Sequence, residues 1–343
     1  MKSQESKAML MAADAASVTK VHTTAVGELL NPEKPHPNVV GVGTGVKWKN
    51  GQPTGEPALL VLVTHKLPKE ELSRGEIVPQ KVDTVSTDVL AIGYPMAGKE
   101  MPEAGIETLA RRVRPAKGGY SVGHKDITAG TIATCAYDIL PGGTTNPPTH
   151  GIGIPQRYYI LSNNHVLANT NAGSPGDPIL QPGPYDGGTD PADRIATLSR
   201  FIPINFAAGA SNLVDCAVAE GQFHDLDREI YWNCCVRAWR RKSAVPVGLL
   251  VKKTGRTTNF TTGRITAINA TINVGYGGGK VGRFTDQIVT TNMSAGGDSG
   301  SLVLTLDDVA VGLLFAGSPL AMIANQIENV RSLLRVEVAE QIG

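Results

Sequence analysis

The sequence predicts a mainly β protein that closes with a helix and is preceded by a small α/β segment. Three observations carry this. The 343 residues include 39 glycines and 22 prolines, spread along the chain, which suits short strands and tight turns better than long helices. Between residue 119 and about 318, nine short apolar runs alternate with turn-rich stretches, from TAGTIATCAY to VAVGLLFAG. Strands at that spacing indicate a sandwich or barrel. After Pro319 the period changes: Leu320, Ile323, Ile327, Val330 and Leu334 recur at helical spacing.

The elements follow in order. Residues 1–36 read as a weakly amphipathic helix and its linker. Met9, Leu10, Ala13, Val18 and Val21 are the apolar members, and NPEKPHPN is the breaker. Residues 37–95 read as a small α/β module. A strand from Val39 turns at Asn50-Gly51 and returns, ALLVLVTHK is a continuous apolar strand, and PKEELSRG is a short helix. IVPQKV and TDVLAIG add more strand. Gly41, Gly43 and Gly45 have G-x-G-x-G spacing, but WKNGQPTG is not the helix that a dinucleotide loop requires, so a glycine-bearing hairpin is expected. Residues 96–118 form a linker. Its basic run at 111–117 is expected to be a solvated connection, with proteolytic processing as the competing reading. The main domain is then 119–343, dividing at about 119–240 and 241–318 before the final helix.

Composition narrows the function classes. Lys plus Arg is 32 against 31 for Asp plus Glu, a net charge of +1, so bulk charge does not hold this protein to nucleic acid. The amino-terminal stretch has Glu5 and Asp14 where an export signal needs an apolar core, and nothing approaches the ~18 apolar residues of a membrane span. A cytoplasmic protein without a membrane partner is expected. Cys135, Cys216, Cys234 and Cys235 form no CxxC pair and read as free thiols. Asp186, Asp190 and Asp193 miss the spacing of a calcium loop and read as turn residues. No metal or cofactor is expected. GYGGGKVG at 275–282 reads as a mobile hairpin tip, and Trp48, Trp232 and Trp239 as packing or surface anchors.

Three short stretches carry chemistry. GGDSGSLVL contains Ser299. A serine hydroxyl is a weak nucleophile at neutral pH, so it needs a base in reach and backbone N–H groups aimed at the developing oxyanion. Gly297 and Ser299 can supply those groups. YYILSNNHVLAN delivers His165 at the end of an apolar strand, before a run able to turn helically. NLVDCAVAE sets Asp215 inside an apolar strand, where a carboxylate is costly unless paired. A buried aspartate that accepts from an imidazole fixes its tautomer and stabilises the imidazolium.

In the order His165, Asp215, Ser299, these stretches resemble the trypsin/chymotrypsin-like serine peptidases, whose motifs read roughly TAAHC, DLAL and GDSGGP. KKTGRTTNFTTGRI is similar to a second-barrel segment of their bacterial members, and the resemblance covers about 119–335. It implies a chymotrypsin-like double β-barrel, with His165 as general base, Asp215 as its orienting partner and Ser299 as nucleophile. The substrate would be a protein or peptide. There are departures. Val166 replaces a common cysteine, and Ser301-Leu302 stands for Gly-Pro. No Arg-Ile-Val-Gly-Gly cleavage site precedes the domain, so Asp298 must find another partner than a freed amino terminus, or stay solvated. NVVGVGTGVK, GQPTGEPALLVLV and VDTVSTDVLAIG ahead of such a domain resemble a bacterial group related to the plant narrow-leaf trypsin-like peptidases. That resemblance implies an intracellular protease that forms homo-oligomers.

The resemblance also implies a primary pocket with Met293 at its floor and Phe315, Ala316 and Gly317 along a wall, hence a preference for medium apolar side chains. The competing reading is a non-catalytic protease-fold adaptor that binds peptides by strand addition.

Overall fold

The computed structural model describes residues 15–50, 52–73, 75–98 and 109–342. Met9, Leu10 and Ala13 of the expected first helix lie outside them, as does Gly51. The chain is mainly β. Two sheets form the body, and the second closes on itself: Leu250–Gly255, Leu302–Thr305, Val309–Gly317, Ala321–Gln326, Val281–Thr291 and Asn259–Gly275 pair in that order, and the last returns to the first. The first sheet runs through Cys135–Asp138, Tyr158–Ser162, Ala217–Gly221, Arg194–Phe201, Pro178–Leu180, Ser121–His124 and Gly130–Thr131. Val336–Glu337 pairs with its Cys135–Asp138 edge, so the carboxy terminus returns to the first barrel.

The segment expected as a module of its own is built onto the second barrel. Val39–Lys49 pairs antiparallel with Asn259–Gly275, placing Gly41 opposite Ile272 and Thr44 opposite Ile268. Gln52–Val63 and Val85–Ala91 continue the same sheet. The physical reason lies in ALLVLV. Leu59, Val61 and Val63 face the Ala16–Leu29 helix through Val18, Val21, Ala25 and Leu29. Ala58, Leu60 and Leu62 face Ala267, Ala270, Ile272 and Phe284 of the barrel. A strand buried on both faces has no reason to alternate. The spaced glycines serve the same contact: a side-chain carbon on Gly41 would lie 2.7 Å from the Thr271 carbonyl oxygen.

Three further boundaries differ from expectation. PKEELSRG forms only a 3-10 turn at Lys69–Glu71. The end of the 96–118 linker is strand: Ala116–Gly118 pairs in parallel with Leu226–Ile230 in a separate three-stranded sheet. The carboxy-terminal helix spans Ile327–Leu334 alone, because Ala321–Gln326 satisfies its backbone by pairing with Val281–Thr291. Leu320 and Ile323, expected on that helix, precede it. Trp239 is buried against this helix under the Arg331 guanidinium, whereas Trp232 is 68% exposed.

Candidate active site

His165 sits in a one-turn helix, Asn164–Leu167, directly after the Tyr158–Ser162 strand. The two asparagines before it hold the corner. Asn163 Nδ2 donates to the Asp215 carbonyl at 2.7 Å, and Asn164 Nδ2 donates to the Ile202 carbonyl at 2.7 Å. The sequence places Asp215 inside a strand, but it lies two residues ahead of the Ala217–Gly221 strand. It is fully buried. Its backbone N–H is held by Asn325 Oδ1 at 3.0 Å.

The two side chains meet. His165 Nδ1 is 2.6 Å from Asp215 Oδ2, and the His165 backbone N–H donates to Asp215 Oδ1 at 3.2 Å. The Nδ1 contact turns that ring nitrogen to the carboxylate, the backbone contact holds the carboxylate in place, and Nε2 is left for other chemistry. That nitrogen is buried and has no hydrogen-bond partner among the described residues.

A third contact to this carboxylate was not legible in the sequence. Tyr276 Oη donates to Asp215 Oδ2 at 2.7 Å. Gly275–Gly282 was expected to be a mobile tip, but only Gly277, Gly278 and Gly279, all with positive φ, form the turn. Tyr276 itself packs edge-on to the His165 ring and against Phe206 and Phe284. Burial, and then the Asp215 charge, push its phenol well above the ordinary value, which keeps it a donor. A tyrosine beside a glycine run carries no periodicity that would flag it.

Ser299 comes from the loop before the Leu302–Thr305 strand. The loop is pinned from both sides. Thr131 of the first barrel donates its Oγ1 to the Gly297 carbonyl at 2.8 Å and its N–H to the Ser299 carbonyl at 2.8 Å. Asp298 turns inward and is fully buried. It accepts from Lys253 Nζ at 3.0 Å, from Thr258 Oγ1 at 2.6 Å and from the N–H groups of Thr257, Thr258 and Ala295. The partner it was expected to need is therefore Lys253, itself fully buried. Burial lowers the Lys253 pKa against the opposing pull of Asp298. Gly300 must be glycine: its φ is +98°, and a side-chain carbon there would overlap Ser162 Oγ and the Thr131 carbonyl.

With both carbonyls turned to Thr131, the N–H groups of Gly297 and Ser299 have no acceptor among the described residues. Gly297 has φ +93°. His165, Ser299 and Gly297 line one cavity of about 490 Å³, together with Ile127, Ala129, Val166 and Tyr276. The site thus brings His165, Asp215, Ser299 and Gly297 together.

The expected pocket residues are elsewhere. Met293 is buried in the second-barrel core with Val251, Ile265 and Ile288, and Phe315 and Ala316 pack with Phe284 and Ile323. None of them lines the cavity. Phe315 and Ala316 lie on a strand, and motif spacing does not say which face of it each side chain takes. Gly317 pairs with Met96 through an antiparallel bridge. Asp186, Asp190 and Asp193 are held by Arg256, Arg194 and Arg112.

No protein-family model and no curated protein matches the chain. Solved structures do. The chain is similar to Protease A of Thermobifida fusca, at 16% identity over 65% of this chain and 97% of that one, with a TM-score of 0.44. It is similar to a Nocardiopsis protease at 17% identity over 65% and 98%, TM-score 0.43. A glutamic acid specific serine protease aligns at 21% identity over 64% and 98%, TM-score 0.42. Among the described residues no helix is long and apolar enough to cross a membrane.

Proposed function

We propose that this protein is a serine endopeptidase. The observation that carries the reading is one cavity holding three complementary features: an imidazole oriented by a buried carboxylate, a serine hydroxyl, and two N–H groups without acceptors. In this reading Ser299 Oγ attacks the peptide carbonyl carbon and His165 Nε2 takes its proton. The carbonyl oxygen, now negative, accepts from the Gly297 and Ser299 N–H groups. His165 then gives the proton to the departing amine, and water releases the acyl group from Ser299 by the same route. Asp215 holds the ring and offsets the imidazolium charge. The Ser299 hydroxyl does not bond Nε2 in the free protein, and such contacts commonly tighten only with substrate.

Labelling with a fluorophosphonate, followed by peptide mapping, tests this. Covalent mass on Ser299 is expected. Ser299→Ala should lose turnover by roughly 10⁴–10⁶-fold with the fold intact. A folded protein that neither labels nor turns over would be the peptide-binding adaptor instead.

A further inference from the structure

The strand carrying Phe315 and Ala316 ends at Gly317, and the strand leading to Tyr276 ends at Gly275. Pro95–Ala97 runs between these two ends. Met96 N–H donates to the Gly317 carbonyl at 3.0 Å, and Gly317 N–H donates to the Met96 carbonyl at 3.1 Å. On the other side Gly275 N–H donates to the Pro95 carbonyl at 3.0 Å, and Ala97 N–H donates to the Gly275 carbonyl at 2.9 Å. Met96 is thus antiparallel to Gly317 and parallel to Gly275. The next two residues, Ala97 and Gly98, line the cavity that holds His165 and Ser299. A side-chain carbon built on Gly98 would lie 3.8 Å from His165 Cδ2.

An extended segment that pairs with two strand ends through its backbone and runs toward a nucleophile has the posture of a bound peptide. We infer that Pro95–Gly98 is a built-in occupant of the peptide groove, which excludes extended peptides until it is displaced. The inference rests on the peptidase reading.

The chemistry of the contact fits a replaceable occupant. All four bonds are backbone to backbone, so an extended peptide of other sequence can make them equally well. Ala97 and Gly98 are small and bring no charge. The segment is tethered upstream, where Ile92 N–H donates to the Val63 carbonyl and Ser318 Oγ donates to the Ile92 carbonyl. Gly93, with φ +69°, follows that anchor. A tethered occupant competes at an effective concentration that reaches millimolar for short connections, so it lowers the apparent affinity of free peptides without touching the reacting groups.

Met96→Pro removes the N–H that bonds Gly317. The test compares kcat/KM for a single-residue acyl ester, which needs only the cavity, with that for a hexapeptide substrate. The peptide-to-ester ratio is expected to rise at least about tenfold in the variant, following the loss of the tethered competitor. A ratio within twofold of the parent overturns the inference. In the unaltered chain, hydrogen exchange at the Met96 and Ala97 amides is followed before and after reaction with a peptidyl phosphonate. Loss of their protection is expected once Ser299 is modified. Unchanged protection in the fully modified protein overturns the inference, even where Met96→Pro fails to fold. Absence of both labelling and ester turnover would instead sink the peptidase reading, and this inference with it.

Discussion

Asp215 and Asp298 are both fully buried carboxylates, one supplied from each barrel, and their surroundings differ in kind. Asp298 faces a buried ammonium, a hydroxyl and three backbone amides. Its charge is balanced within the fold. The partners of Asp215 are a phenol, a backbone amide and an imidazole, with no fixed cation beside it among the described residues. The first arrangement holds a loop in place. The second holds its neighbour's ring in one orientation and leaves Nε2 turned to the cavity.

The comparison is broken most severely at Asp215. Asp215→Asn should lower kcat by on the order of 10⁴-fold while unfolding stays close to the parent's, because the amide keeps the shape but selects the wrong imidazole tautomer. Turnover near the parent rate would show that the carboxylate is structural. Next is Lys253→Met, which leaves the buried Asp298 charge with its hydroxyl and amide donors but without its cation. It should cost about 3–5 kcal/mol in urea unfolding. Adding Asp298→Asn to that variant should recover part of the loss, and an equal or greater loss in the double variant would contradict the pairing.

A smaller effect is expected at Tyr276. Tyr276→Phe keeps the ring packing and removes one bond to a charged acceptor, worth about 1.5–3 kcal/mol. With the loss expressed in turnover, kcat should fall roughly tenfold to a hundredfold with KM little changed. A purely structural tyrosine would lower stability and leave kcat alone. The smallest effect concerns Cys216, beside Asp215. Burial, then the Asp215 charge, push its thiol well above the ordinary range, and burial takes Cys135 up to about 12. Iodoacetamide at neutral pH should therefore modify the exposed Cys234 and Cys235 and leave activity within about twofold. Rapid modification of Cys216 would show that the Asp215 environment opens.

Part of this architecture is written locally. Nine apolar runs separated by turns specify a β body, because strand alternation and turn residues act within a few positions of each other. The stretches around His165, Asp215 and Ser299 are recognisable because each needs particular residue types side by side: asparagines that hold the corner before a histidine, an aspartate among apolar neighbours, glycines flanking a serine. The sequence by itself determined those three short pieces and the β character of the chain.

What assembles across long separations only the tertiary structure decided. Tyr276 reaches Asp215 from the far end of a hairpin, Lys253 reaches Asp298 across a strand, and Thr131 holds the serine loop from the other barrel. None of these follows from nearby spacing: the first and third depend on how two sheets pack, and the second on which strands of one sheet become neighbours. The same holds for Val39–Val63, whose apolar run is double-sided because the second barrel covers one of its faces. It holds too for Met293, whose place in the motif count says nothing of whether its side chain turns to the cavity or to the core. Backbone pairing fixes a strand's neighbours only after the chain has folded back, and a side chain's face is then set by register, a tertiary property.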